Sequence, residues 1–231
     1  MAHFSTLAIH AGYDSADCTN GDAAVPPIYL SAAFDMQSAA HGDALSAGAA
    51  EGFSYSRMAN PTLDVLERRI AALEGGRSAV ASGMTAVSAA LLCAAEGGGR
   101  IIAARNLYGA SVDAMDSLFP EFGIETDFVD DINDLALVES LIGPDTRAIF
   151  AGSVANPSTE VADVAALASV AHRHGIPLII DNTVPTPYLF RPIELGADVV
   201  VHSTTNSKWM AAVSRSRGFS MAPTCSPMCR T

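Results

Sequence analysis

A lysine, a carboxylate and small hydroxyl side chains stand at the ends of strand-like runs in this sequence. Val199, Val200 and Val201 form a β-branched apolar run suited to a buried strand, and Ser203, Thr205 and Lys208 follow it. A second run, Pro177 to Ile180, ends in Asp181, Asn182 and Thr183. In open parallel sheets ligands bind outside the carboxyl ends of the strands, so both sets point to one sheet edge. Hydroxyls there suit a phosphate, the acid suits a protonated ring nitrogen, and the lysine suits a Schiff base with an aldehyde. Together these requirements match pyridoxal phosphate.

Three further places could complete such a site. Ser82, Gly83 and Met84 join a strand to a helix, where free backbone N–H groups and the positive helix end can cradle a phosphate. Tyr108, after another strand, offers a ring to stack on a flat heterocycle. Asn156, before Pro157, offers an amide to a ring hydroxyl. The glycine-rich dinucleotide fingerprint is absent at the Ser82 junction. His3, His10, His41, His172, His174 and His202 lack metal-ligand spacing, and Cys225 and Cys229 lack a second pair, so no metal site is expected.

The elements that must position these residues are legible as an alternation. Asn60 and Pro61 give a capping side chain and a first-turn proline for a helix carrying Leu63, Leu66, Ile70 and Leu73, which Gly75 and Gly76 stop. Strands follow at 78–81, 100–104, 125–129, 148–153, 177–180 and 199–201, with helices at 84–95, 111–122, 132–142 and 161–174 between them. The fold class is α/β: three layers, a mostly parallel sheet with helices on both faces. Residues 1–60 read as an N-terminal arm, 61–205 as the large domain, and 206–231 as an aberrant, disordered tail. That tail carries Lys208, Arg215, Arg217 and Arg230 but none of the chain's 25 acids.

Composition narrows the partners. With 231 residues and 49% apolar content the chain can fill a sizeable core. A formal charge of −12 argues against nucleic acid and anionic membranes as partners. Four irregularly spaced cysteines fit a reducing cytoplasm, and no run is long enough to span a bilayer.

An ordered set of motifs now carries a resemblance. Tyr55-Ser56-Arg57, Asn60-Pro61-Thr62, Leu73-Glu74-Gly75-Gly76, Ser82-Gly83-Met84, Leu107-Tyr108-Gly109, Asn156-Pro157, Asp181-Asn182-Thr183 and His202-Ser203 with Thr205 occur in sequence. The chain thereby resembles the pyridoxal-phosphate enzymes of cysteine and methionine metabolism, over roughly residues 4–205. The resemblance implies the large domain of a fold type I transferase, the cofactor pyridoxal phosphate, and a homodimer or homotetramer. It implies Gly83 and Met84 amides with Ser203 and Thr205 hydroxyls on the cofactor phosphate. Tyr108 would stack on the ring, Asn156 would contact its 3-oxygen, and Asp181 would bond the pyridinium. Tyr55 and Arg57 would reach a phosphate in the neighbouring subunit, and Lys208 would be the catalytic lysine.

Within the family the segments 7–13, 39–42 and 187–193 are most similar to the O-acetylhomoserine sulfhydrylase branch. The implied reaction is γ-replacement, O-acetylhomoserine plus sulfide or a thiol giving homocysteine or methionine plus acetate. A cystathionine or methionine lyase, or a non-catalytic fragment, is the alternative. The family's lysine follows Ser-x-Thr directly, whereas Asn206 stands there and the nearest lysine is Lys208. After Met210 the family's sequence is not recognisable, so the C-terminal domain is expected to be missing, through a shifted reading frame, and activity impaired.

Overall fold

The computed structural model of the chain describes residues 3–16, 21–203 and 211–215, the last as backbone, as for 77–81. These residues divide into two compact units, Met1–Ala72 and Leu73–Thr231. The sequence placed the boundary at residue 60; most of the helix Pro61–Glu74 instead clusters with the arm.

The first unit is more regular than its composition suggested. It contains α1 (Phe4–His10), α2 (Ala39–Ser46) and most of α3 (Pro61–Glu74). The imidazole of His3 and the hydroxyl of Ser38 accept from backbone N–H groups of the first turns of α1 and α2, supplying the caps that open them. Asn60 behaves as expected: its Oδ1 accepts from Thr62 N at 2.9 Å, and Pro61 opens α3.

The second unit is built on a seven-stranded sheet. Its strands are β1 (Arg77–Ala81), β2 (Gly99–Ala104), β3 (Ile124–Val129), β4 (Thr146–Gly152), β5 (Leu178–Asp181), β6 (Val199–His202) and β7 (Ala211–Arg215), in the order β1-β7-β6-β5-β4-β2-β3. Pairings within β3-β2-β4-β5-β6 are parallel; β7 runs antiparallel to both β6 and β1. Ile101, Ile102, Ile149, Phe150, Ile179 and Ile180 are fully buried. Consecutive buried residues mean that both sheet faces are covered, which explains why these strands are continuously apolar rather than alternating.

The crossover helices are α4 (Gly83–Ala94), α5 (Gly109–Asp113), α6 (Leu135–Leu141) and α7 (Val164–Arg173). Their starts differ from the periodicity reading where an unrecognised cap intervenes. Asp134 accepts from Leu137 N and Asp163 from Ala166 N, each at 3.0 Å, so α6 and α7 begin after these residues. The expected helix 111–122 is broken: α5 passes into a π turn, Ala114–Leu118, and a 3-10 turn, Phe119–Phe122. Pro120 has no N–H to give the preceding turn and its ring crowds it, so the α-helical ladder cannot continue.

The tail assigned to 206–231 contains a strand the sequence did not announce. Backbone pairing with β1 on one side and β6 on the other defines β7 at Ala211–Arg215. Ala-Ala-Val-Ser-Arg has a single β-branched residue, so neither period was visible, and the ladder rather than the side chains marks the element. Among the described residues no helix is long and apolar enough to cross a membrane.

Candidate active site

The strand register sets the site. Gly152 at the end of β4 pairs with Asp181 at the end of β5, and Asp181 pairs with Val201 of β6. These three form a row across the carboxyl edge of the sheet and open into a cleft of about 410 Å³. Its wall includes Ser82, Gly83, Met84, Tyr108, Asn156, Asp181, Thr183 and Ser203. The structure therefore brings together six of the residues assigned from sequence: Gly83, Met84, Tyr108, Asn156, Asp181 and Ser203. Thr205 and Lys208 lie outside the described residues. Tyr55 and Arg57 belong to the other unit, where the Arg57 guanidinium lies 5.0 Å from the centre of the Tyr55 ring.

On one side of the cleft stands the start of α4. The side chain of its N-cap, Ser82, caps no backbone N–H of the helix; its hydroxyl instead meets the side chain of Thr85 at Oγ1, 2.6 Å away. The first N–H groups of α4 are thus not capped by Ser82 and face the cleft with the positive end of the helix behind them. A Cβ at Gly83 would lie 3.0 Å from both Cβ and Oγ of Ser203, so that Ser203 would have to give by a few tenths of an ångström. A phosphate-sized group fits this cradle because glycine leaves it open.

Asp181 is held at the wall of the cleft. Its Oδ1 accepts from Thr183 N at 3.0 Å and from the Thr183 hydroxyl at 2.5 Å. The same hydroxyl accepts from Ser203 N at 2.8 Å, linking the ends of β5 and β6. Both bonds to Asp181 fall on one oxygen, so the carboxylate is oriented while its other oxygen is left for a ligand. Thr183 was quoted in a motif without a role; period-2 alternation from Asp181 would have placed it in the cleft.

The opposite wall comes from two loops tied together. Glu160 Oε2 accepts from Asn106 Nδ2, next to Leu107 and Tyr108, and from Ser158 Oγ at 3.0 Å, just beyond Asn156. One carboxylate thus fixes the Tyr108 loop against the Asn156 loop. Tyr108 remains 57% exposed, leaving its ring free to cover a ligand. The residues present fit pyridoxal phosphate: an uncapped helix start for the phosphate, an oriented carboxylate for the ring nitrogen, and an exposed aromatic for the ring face.

An α/β sheet with a phosphate cradle at β1-α4 and an acid at the end of β5 defines a cofactor-binding domain of the pyridoxal-phosphate class. The chain belongs to the Cys/Met metabolism PLP-dependent enzyme family, whose profile matches residues 5–216. It is 44% identical over 204 residues to L-methionine gamma-lyase of Pseudomonas putida, covering 87% of this chain and 50% of that protein. It is likewise 44% identical over 204 residues to O-acetyl-L-homoserine sulfhydrylase of Corynebacterium glutamicum, covering 87% of this chain and 46% of the relative. Among solved structures, a candidate O-acetylhomoserine (thiol)-lyase of Campylobacter jejuni superposes with a TM-score of 0.88 at 34% identity, over 94% of this chain and 55% of the other. That structure carries N'-pyridoxyl-lysine-5'-monophosphate. The chain spans about half the length of the curated relatives it matches.

Proposed function

We propose that the chain is the cofactor-binding part of an O-acetylhomoserine sulfhydrylase, acting on an O-acylated homoserine with sulfide or a thiol in the cytoplasm. The observation that carries the cofactor half is the oriented Asp181 carboxylate facing the cleft that begins at Gly83. When bound, pyridoxal phosphate supplies an electron sink for Cα and then Cβ of the amino acid. Gly83 and Met84 amides and the Ser203 and Thr205 hydroxyls hold the phosphate. Asp181 keeps a proton on the ring nitrogen, Tyr108 covers the ring, and Asn156 donates to the 3-oxygen. Lys208 would anchor the cofactor and carry protons to and from Cα and Cβ. Tyr55 and Arg57 of a second copy of the chain reach the phosphate, making the unit a homodimer or a pair of them.

Methionine γ-lyase is the second reading, favoured by the 44% identity to the Pseudomonas putida enzyme. The two are separated by assay. Homocysteine from O-acetylhomoserine and sulfide supports the first; methanethiol and 2-oxobutanoate from methionine, without the first product, replace it with the second. Two forms should be compared: the 231-residue chain and one continued in the alternative frame after Met210 to its relatives' length. The former should turn over slowly, and the latter robustly. Deleting Asn206 and Ser207, which sets Lys208 directly after Thr205, should increase borohydride-trapped cofactor on Lys208. Unchanged labelling would remove that lysine from its role.

A further inference from the structure

Behind the cleft the sheet carries polar side chains where a core normally packs apolar ones. Side chains alternate across a strand, and Gly152, Asp181 and Val201, then Val154, Thr183 and Ser203, line the cleft. The residues between them are Ser153, Asn182 and His202, all buried, at 0%, 0% and 5% exposure. One carboxylate gathers them. Glu74, the last residue of α3 and itself 0% exposed, sets Oε1 against His202 Nε2 and accepts a long 3.4 Å bond from Asn182 Nδ2. Asn182 Oδ1 in turn accepts from Ser153 Oγ at 2.8 Å.

This network begins where the backbone ladder stops. Asn182 N donates to Val201 O at 2.8 Å; past that bond Ser203 N turns to the Thr183 hydroxyl, the tie on the cleft side. His202, Glu74 and Asn182 make the matching tie on the buried side. Stability alone does not account for Glu74, because its Oε2 is buried with no hydrogen-bond partner among the described residues, and an orphaned carboxylate oxygen is costly. What the carboxylate supplies is geometry: it fixes the residue before Ser203 and the residue after Asp181.

We infer that Glu74 is a positioning residue for the cofactor cleft, setting through His202 and Asn182 the spacing between Ser203 on the phosphate side and Asp181 on the ring side. The cofactor half of this inference rests on the proposed function; the positional half does not. Two readouts on the full 231-residue chain keep them apart. The first is amide hydrogen exchange without cofactor. Glu74→Met keeps the length but removes the acceptor, and should speed exchange at Asn182 and Ser203 by about tenfold while Ile101 and Ile102 in β2 stay as in the parent. The second is equilibrium binding of pyridoxamine 5'-phosphate, which needs no lysine and should weaken about tenfold in the same variant.

Glu74→Gln, which retains an acceptor oxygen, should restore most of both. If Glu74→Met does not fold, Glu74→Asp withdraws the carboxylate by one methylene and carries the same readouts. Unchanged exchange at Asn182 and Ser203, or equal acceleration at Ile101 and Ile102, would overturn the inference by showing no role or only a general loosening. Should the parent chain fail to bind pyridoxamine phosphate, the cofactor reading falls, and the exchange pattern alone then supports or overturns the positional one.

Discussion

Single atoms decide the behaviour of the cleft at the residue scale. Gly83→Ala places a Cβ 3.0 Å from Ser203 Cβ and Oγ and narrows the cradle. Its expected effect is about tenfold weaker binding of pyridoxamine phosphate, roughly 1.4 kcal/mol, read by titration, with little change in unfolding midpoint. Thr183→Val removes one hydroxyl serving two partners, leaving Ser203 N–H without its acceptor and Asp181 Oδ1 with the Thr183 N–H alone. A loss of about 1–3 kcal/mol is expected in denaturant unfolding, and Thr183→Ser should recover most of it. Asp181, Gly83 and Tyr108 were legible because their types suit the cofactor and their places follow strand-like runs. Glu74 and His202 were quoted within motifs but given no role, and His202 was otherwise read as a histidine without ligand spacing. A partnership across 128 positions leaves no local pattern.

Capping and charge govern the elements. The π turn after α5 could be anticipated from Pro120, and the later starts of α6 and α7 from Asp134 and Asp163, yet apolar periodicity alone ran through all three. β7 was illegible because its five residues are mostly small, and only its two neighbours give it a ladder. Between α6 and α7, Glu139 accepts from Arg173 and His174, which hold its carboxyl below the usual carboxylate range of about 4.5. Such a depressed group stabilises the fold above its unfolded pKa, and that contribution disappears as pH falls through the lower folded value. Unfolding midpoints measured downward from pH 5 should therefore fall more steeply in the parent than in Glu139→Gln. At neutral pH the variant should be slightly the less stable. The three side chains keep 36–52% of their surface in solvent, which keeps both effects small.

For the whole molecule, the family match, the sheet and the cleft agree on one kind of protein. The arm and the sheet unit are each compact, and the residues assigned to the cofactor are divided between them. Tyr55 and Arg57 lie in the first, while Gly83 through Ser203 lie in the second. A variant lacking the Arg57 guanidinium, Arg57→Ala, should leave the folding of the sheet unit intact. If a second copy supplies that group, binding of pyridoxamine phosphate should weaken only at protein concentrations where the chain associates.

The position of β7 bears on how the protein is made. β1 pairs with no described strand except β7, yet more than a hundred residues of strands and crossovers separate the two in the sequence. On a ribosome, β2 to β6 can pair in the order they emerge, whereas β1 must wait beside an unfinished edge until Ala211–Arg215 has left the exit tunnel. Ser82, Gly83 and Met84 hang from the end of β1, so the anion cradle is anchored by a strand that emerges after β2 to β6. A chain stopped at residue 205 should therefore retain the exchange protection of Ile101 and Ile149 but show no measurable affinity for pyridoxamine phosphate. Nascent chains of this protein would then acquire their cofactor only once Ala211–Arg215 has emerged and joined β1 to β6.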